Sequence, residues 1–193
     1  WLPGEVIDYL MPSRFCPSDR FVEFVSGKFG NLTGGACVAA LTDWVASSMT
    51  YVPGVSHAGT CATDTFVQRQ GVCRDYAHLL IALVRAASIP ARYASVYAPD
   101  VDPPDFHAVF EAYLDGCWWL FDGTRQANLD GLVRIGVGRD GLSLSELPAG
   151  KEWILSASHN RQEEGKQLML DFLRQHREPP KAFIASSLPI LEG

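Results

Sequence analysis

Five cysteines, five histidines and 22 carboxylates are the side chains of this sequence best suited to nucleophilic or acid–base chemistry. The cysteines, Cys16, Cys37, Cys61, Cys73 and Cys117, are odd in number and widely spaced, with no C-x-x-C pair. That spacing suggests neither a disulfide framework nor a zinc ligand set, so at least one free thiol is expected. Cys73 stands out by position. It opens a Leu- and Ala-rich run to Ser88, the strongest helix pattern in the chain, which stops ahead of Ile89-Pro90. A cysteine at a helix N-terminus sits at the positive end of the macrodipole, which favours the nucleophilic thiolate. Asp75, in the first turn, complements the same end.

A base and an acid for that thiol come from a hairpin. The runs Phe106–Leu114 and Cys117–Asp122 are rich in β-forming residues and are joined by Asp115-Gly116, the strongest short-range hairpin signal. With those two residues as the turn, Leu114 opposes Cys117, Ala112 opposes Trp119 and Phe110 opposes Phe121. Phe106, Ala108, Phe110, Ala112 and Leu114 share the side expected to be core. The other side carries His107, Val109, Glu111 and Tyr113, facing Thr124, Asp122, Leu120 and Trp118. His107 and Asp122 are then diagonal neighbours on one face, and a slip of one residue would separate them. A nucleophile, a base and an orienting acid would be complete: Cys73 attacks, His107 moves the proton, and Asp122 holds the imidazole tautomer. The backbone N–H of Cys73 is a candidate oxyanion donor, with Gln70 and Tyr51 as weaker candidates for a second.

Each residue also has an ordinary reading. A free cysteine is commonly an inert buried side chain, and a strand histidine beside an aspartate is commonly a structural pair. His78 is expected to be structural or partly exposed, His57 to be a loop residue that could border a groove, and Glu111 to be a wall or structural residue. His159 and His176 carry no argument. Asp100, Asp102, Asp105 and Glu111 have a calcium-loop flavour, but Pro104 and Asp105 stand where Asp/Asn and the turn glycine are needed. A solvated acidic turn is expected there, and neither metal nor cofactor is implied.

The elements that must position these residues change character along the chain. Pro17-Ser18-Asp19 starts a short helix with Phe21, Val22 and Val25 on its apolar face. Val38, Leu41, Val45 and Met49 mark a second helix over 36–49, and Thr50–Thr60 reads as loop. A short helix through Phe66 and Val67 ends near Gly71. After the helix begun by Cys73, Arg92–Tyr97, the hairpin and Leu132–Val137 read as strands. Helices first and antiparallel strands afterwards predict an α+β fold, with the N-terminal helices packed on the sheet.

The 193 residues suit one domain with or without a tail, and 47% hydrophobic with 20% charged residues is a globular balance. Sixteen Lys and Arg against 22 Asp and Glu give a net charge of −6, which argues against a nucleic-acid or anionic-membrane surface. The longest apolar stretch, Leu79–Val84, is far short of a membrane span. A cytoplasmic location is expected. The chain opens on Trp1, so a fragment or processed form is expected, which leaves room for upstream targeting or another domain.

Four blocks carry a family resemblance. They are Gly71-Val72-Cys73-Arg74-Asp75-Tyr76-Ala77-His78-Leu79, Ile89-Pro90-Ala91-Arg92-Tyr93, Asp105-Phe106-His107-Ala108 and Trp119-Leu120-Phe121-Asp122-Gly123-Thr124. In this order they resemble the bacterial transglutaminase-like superfamily of cysteine acyltransferases and peptidases. Tyr9–Cys16 and Tyr51-Val52-Pro53-Gly54 also fit, so the likeness covers about residues 5–140. The resemblance implies a papain-like fold, a protein or peptide substrate, and Cys73, His107 and Asp122 as nucleophile, base and orienting acid. It also implies relatives with an all-β region ahead of this domain. A non-catalytic binding or scaffold module is the competing class, and an arylamine N-acetyltransferase with the same residue order is a more distant one. The likeness ends at Gly141. The expected division is therefore a catalytic domain over 1–140 and a divergent tail over 141–193, with one helix at 161–177. If the tail is an appendage, a chain stopping at Asp140 should keep its rate per titrated active thiol. A collapse of that per-site rate would show that the tail builds the site.

Overall fold

The computed structural model describes residues 2–98 and 105–142, with the backbone alone at Asp105. The acidic turn around Asp100 and Asp102, the expected helix at 161–177, His159 and His176 lie outside the described residues.

The helices are α1 (Val22–Phe29), α2 (Gly34–Ser48), α3 (Ala62–Gln68) and α4 (Cys73–Ala86). A 3-10 turn at Ser18–Phe21 leads into α1 and another spans Gly4–Leu10. In α2, Val38, Leu41 and Val45 recur at helical spacing and are wholly buried. In α4 every residue from Asp75 to Arg85 is buried, as a helix apolar on nearly all sides requires. It packs against β3 (Ala91–Ala98) and β4 (Asp105–Leu114) and also touches α1, α2 and α3. Leu79, Leu80, Ile81, Leu83 and Val84 form the centre of the main core, each contributing about 1.5–3 kcal/mol by burial. Among the described residues, no helix is long and apolar enough to cross a membrane.

With β5 (Cys117–Phe121) and β6 (Val133–Gly138), β3 and β4 form an antiparallel sheet in the order β5-β4-β3-β6. The hairpin ladder runs Leu114 with Cys117, Ala112 with Trp119 and Phe110 with Phe121. Its turn residues Asp115 and Gly116 have φ of 51° and 85°, the left-handed pair that suits the twist of a two-residue hairpin.

One expectation is corrected and two are made more definite. Thr50–Tyr51 is not loop: it is a strand, β1, paired in parallel with β2 (Gln70–Gly71), too short to leave a periodic pattern. His78 is not partly exposed: at 1% it is enclosed by Phe15 and Tyr93, with ring centroids 5.0 and 5.2 Å away. The reverse side of β4 carries a second, smaller core. Val109 is buried there with Ala94, Val96, Ala98, Leu132 and Val137, and Glu111 is buried in ion pairs with Arg92 (2.5 Å) and Arg134 (3.1 Å).

The end of α4 ties distant segments together. The buried Arg85 guanidinium donates to the carbonyls of Ala91 (2.8 and 3.0 Å), Met11 (3.0 Å) and Arg139 (2.6 Å), and to Ser13 Oγ (3.2 Å). Asp140 accepts from the Phe15 amide (3.3 Å), and Arg139 donates to the Pro12 carbonyl (2.8 Å). Contacts continue two residues beyond the family resemblance, since the Gly141 amide donates to His78 Nε2 (3.0 Å) and the Leu142 amide to Asp140 (3.1 Å). Arg85→Met keeps length and apolar stem but strips three main-chain carbonyls of a buried donor. It should cost about 3 kcal/mol in urea denaturation. An unchanged midpoint would mean water replaces the guanidinium freely.

Candidate active site

The start of α4 is built by local hydrogen bonds. Val72 is extended, and its amide donates to Asp75 Oδ2 (2.9 Å), so the expected complement to the macrodipole is also the helix cap. Gly71 packs so closely that an added Cβ would lie 2.7 Å from Asp75 Cβ, so only glycine leaves that cap intact. Arg74 then bridges to the neighbouring loop, donating to Asp75 Oδ1 (3.0 Å) and to the His57 carbonyl (2.8 Å). The β1–β2 bridge and the Val52 amide on the Gly71 carbonyl (3.0 Å) bring Tyr51 and Gln70 onto the segment that leads into Cys73. Cys73 itself is half-buried at the first position of α4.

His107 and Asp122 meet as the hairpin register requires, with Nε2 3.0 Å from Oδ1 and both side chains buried. Beyond the last ladder pair the chain turns back on the Asp122 carboxylate. The amide and hydroxyl of Thr124 donate to Oδ1 (2.9 and 2.8 Å), and the amides of Gln126 and Ala127 donate to Oδ2 (both 3.0 Å). The intervening Gly123 lies against Leu80 of α4 so tightly that a Cβ would collide with it. Cys73 is also among the groups that act on His107, favouring its protonated ring. With Nε2 committed to Asp122, Nδ1 is the ring nitrogen left for the thiol. The structure therefore joins His107 to Asp122 directly, with Cys73 among the groups acting on the ring.

The electrostatics follow from those partners. Burial alone would depress the His107 imidazolium, but the hydrogen bonds and charges of Asp122 and Cys73 outweigh it and lift it to about 10. Burial would raise the Asp122 carboxyl, yet the His107 hydrogen bond and charge, with the Ala127 amide and Thr124 hydroxyl, hold it below the usual range. The other thiols differ. Burial pushes Cys16 up to about 12 and raises Cys37, Cys61 is partly buried, and Cys117 is exposed at the hairpin turn. His78, driven down to about 3 by burial, accepts from Gly141 as a neutral core ring.

Two residues of the site leave little or no signal in the sequence. The hairpin register places Thr124 opposite His107 but does not announce a hydroxyl 3.3 Å from Nε2, and Arg74 leaves none because it reaches a distant carbonyl. A groove of about 520 Å³ opens beside Thr124, lined by Asp43, Trp44, Ala46, Ser47 and Arg125, with Asp43 and Arg125 ion-paired.

The pair sets a pH signature. His107 titrates at 6.5 in an unperturbed setting and at about 10 when folded, so folding tightens its hold on the proton. Its contribution to stability is complete below about pH 6.5 and is lost as pH rises through about 10. Asp122 acts oppositely: its contribution is present above the ordinary carboxyl value of 3.8 and is lost in acid. Urea midpoints should therefore fall between about pH 6.5 and 10, and Asp122→Asn should flatten that fall. Identical alkaline profiles for the two proteins would remove the ion pair.

Comparison with known proteins agrees with this geometry. The family model for the transglutaminase-like superfamily matches residues 22–123, a span that holds α1–α4, the hairpin and all three residues of the cluster. An uncharacterized protein of Mycobacterium leprae (strain TN) is 31% identical over 143 residues, covering 69% of this chain and 51% of that protein. A crystal structure named "Putative Cysteine Protease from Cytophaga hutchinsonii" superposes with a TM-score of 0.72 at 48% identity, over 73% of this chain and 49% of that one. The chain thus spans about half the length of each of these relatives. With the mixed helix-and-sheet fold matching as well, the chain belongs to the transglutaminase-like superfamily.

Proposed function

We propose that this protein is a thiol-dependent enzyme acting on amides of protein or peptide substrates, with Cys73 as nucleophile, His107 as proton carrier and Asp122 as orienting acid. The observation that carries the reading is the buried His107–Asp122 pair, Nε2 3.0 Å from Oδ1, with the half-buried Cys73 at the start of α4 among the groups acting on the ring. The name and 48% identity of the Cytophaga hutchinsonii relative support peptide or amide chemistry.

The steps need only these groups. With its proton held on His107 Nδ1, the Cys73 sulfur attacks the carbonyl carbon of a peptide bond or glutamine carboxamide. The carbonyl oxygen gains negative charge facing the amide donors at the start of α4, with Tyr51 or Gln70 as the proposed second donor. As the C–N bond breaks, the leaving amine or ammonia takes the proton from His107, and a thioester remains. Water or a lysine amine then adds, His107 takes its proton, and the C–S bond breaks to restore the thiolate. Water gives hydrolysis and the amine gives an isopeptide bond, so one site supports both outcomes. Asp122, gripped by four donors from its own turn, holds Nε2 and leaves Nδ1 free to shuttle. Residues 1–140 would carry the catalysis with 141–193 as an appendage, and five free thiols suit a reducing, cytoplasmic setting.

Iodoacetamide at neutral pH should label Cys73 far ahead of the more exposed Cys117. Cys73→Ala should abolish turnover of glutamine-peptide and amine-donor libraries while leaving the fold intact. Asp122→Asn should retain residual activity, down about 10²–10⁴-fold. A folded protein whose Cys73 reacts no faster than Cys117, or activity unchanged by Cys73→Ala, would leave a non-catalytic module.

A further inference from the structure

We propose that Thr124 is a positioning residue of the His107–Asp122 pair, its hydroxyl holding the imidazole with Nε2 protonated and Nδ1 presented to Cys73. The inference rests on the functional reading above and assigns that site a fourth member.

The argument is one of hydrogen-bond arithmetic. A threonine hydroxyl has one proton to donate and two lone pairs to accept with. The proton goes to Asp122 Oδ1, at 2.8 Å the shortest contact that the hydroxyl makes. One lone pair receives the Gln126 amide at 3.3 Å. The other is left for His107 Nε2, also at 3.3 Å. Two acceptors, Thr124 Oγ1 and Asp122 Oδ1, therefore converge on one ring nitrogen, and the only arrangement that satisfies both is Nε2–H. The other tautomer would set a bare nitrogen lone pair against a carboxylate and a hydroxyl oxygen, and would turn an N–H toward the thiol it must deprotonate. Asp122 could impose the tautomer alone, but its Oδ1 is itself oriented by the Thr124 amide and hydroxyl. The hydroxyl thus acts twice, on the acid and on the ring. The titratable groups facing His107 are Cys73 from α4 and Asp122 from the turn after β5. Thr124 adds no charge, so its effect is on geometry and proton location.

Ring-¹⁵N-labelled histidine NMR on the intact chain reads this directly, with His107→Gln assigning the signal. Wild type should keep Nε2 protonated throughout its titration. Thr124→Val, which puts a methyl where the hydroxyl was, should mix in the Nδ1–H tautomer and lower the His107 midpoint by about one pH unit. Thr124→Ser should match wild type. If Thr124→Val does not fold, Thr124→Ala makes the same comparison. A wild-type tautomer and midpoint in the hydroxyl deletion would overturn the proposal, as would a serine variant impaired as badly as valine, since the methyl would then be the part that matters. Iodoacetamide labelling of wild type separates the two levels. Fast labelling of Cys73 with no change in the Thr124→Val ring signal defeats this inference alone, whereas slow labelling of Cys73 defeats the functional reading and this inference with it.

Discussion

A helix that is apolar on nearly every side has to be enclosed, and α4 imposes that demand on the rest of the chain. Its buried stretch from Asp75 to Arg85 requires partners all around, and β3, β4 and the three preceding helices supply them. The two ends of the same helix are its polar points, and each has become a junction. At the C-terminal end, Arg85 gathers the carbonyls of Met11, Ala91 and Arg139. At the N-terminal end, the Asp75 cap, Arg74 and the β1–β2 bridge hold Cys73 at the mouth of the core. Enclosure of the helix middle thus leaves its ends as the places where segments far apart in sequence meet.

The buried His107–Asp122 pair holds together for a physical reason. A buried imidazolium is costly unless an anion and hydrogen bonds compensate, and a buried carboxylate needs donors of its own. Asp122 meets that need through the turn that follows it, which closes amides and a hydroxyl on both carboxylate oxygens. The carboxylate is then anchored to backbone rather than to mobile side chains. His107 borrows this rigidity, and its second ring nitrogen is left to face the thiol. Three of the other cysteines stand differently: Cys16 and Cys37 are buried in the main core, and Cys117 stands in solvent beside the hairpin turn.

The second face of the sheet shows what alternation leaves open. Along β4, His107, Val109 and Glu111 alternate with the core residues, which says nothing of what covers them. Val109 belongs to a smaller apolar cluster, and Glu111 is neutralised by arginines from β3 and β6. The charge pairs belong to three different strands. No local pattern in β4 could have announced them.

Much of the site was legible from the residues alone, because its signals are local. The Asp115-Gly116 turn sets the hairpin register, and a period of two then places His107 beside Asp122 without knowledge of anything else. The Leu- and Ala-rich run fixes where α4 starts, and so where Cys73 stands. Long-range placement left no such trace. That Thr50–Tyr51 pairs with Gln70–Gly71, that Arg85 binds carbonyls from both ends of the domain, that His78 is walled in, and that Thr124 touches His107 all depend on backbone and side-chain atoms brought together only by packing. Sequence periodicity reports which side of an element prefers to leave water. Which particular atom waits on the other side is decided when the elements close around α4, since hydrogen bonds reach only about 3 Å and few residue types are unable to make one.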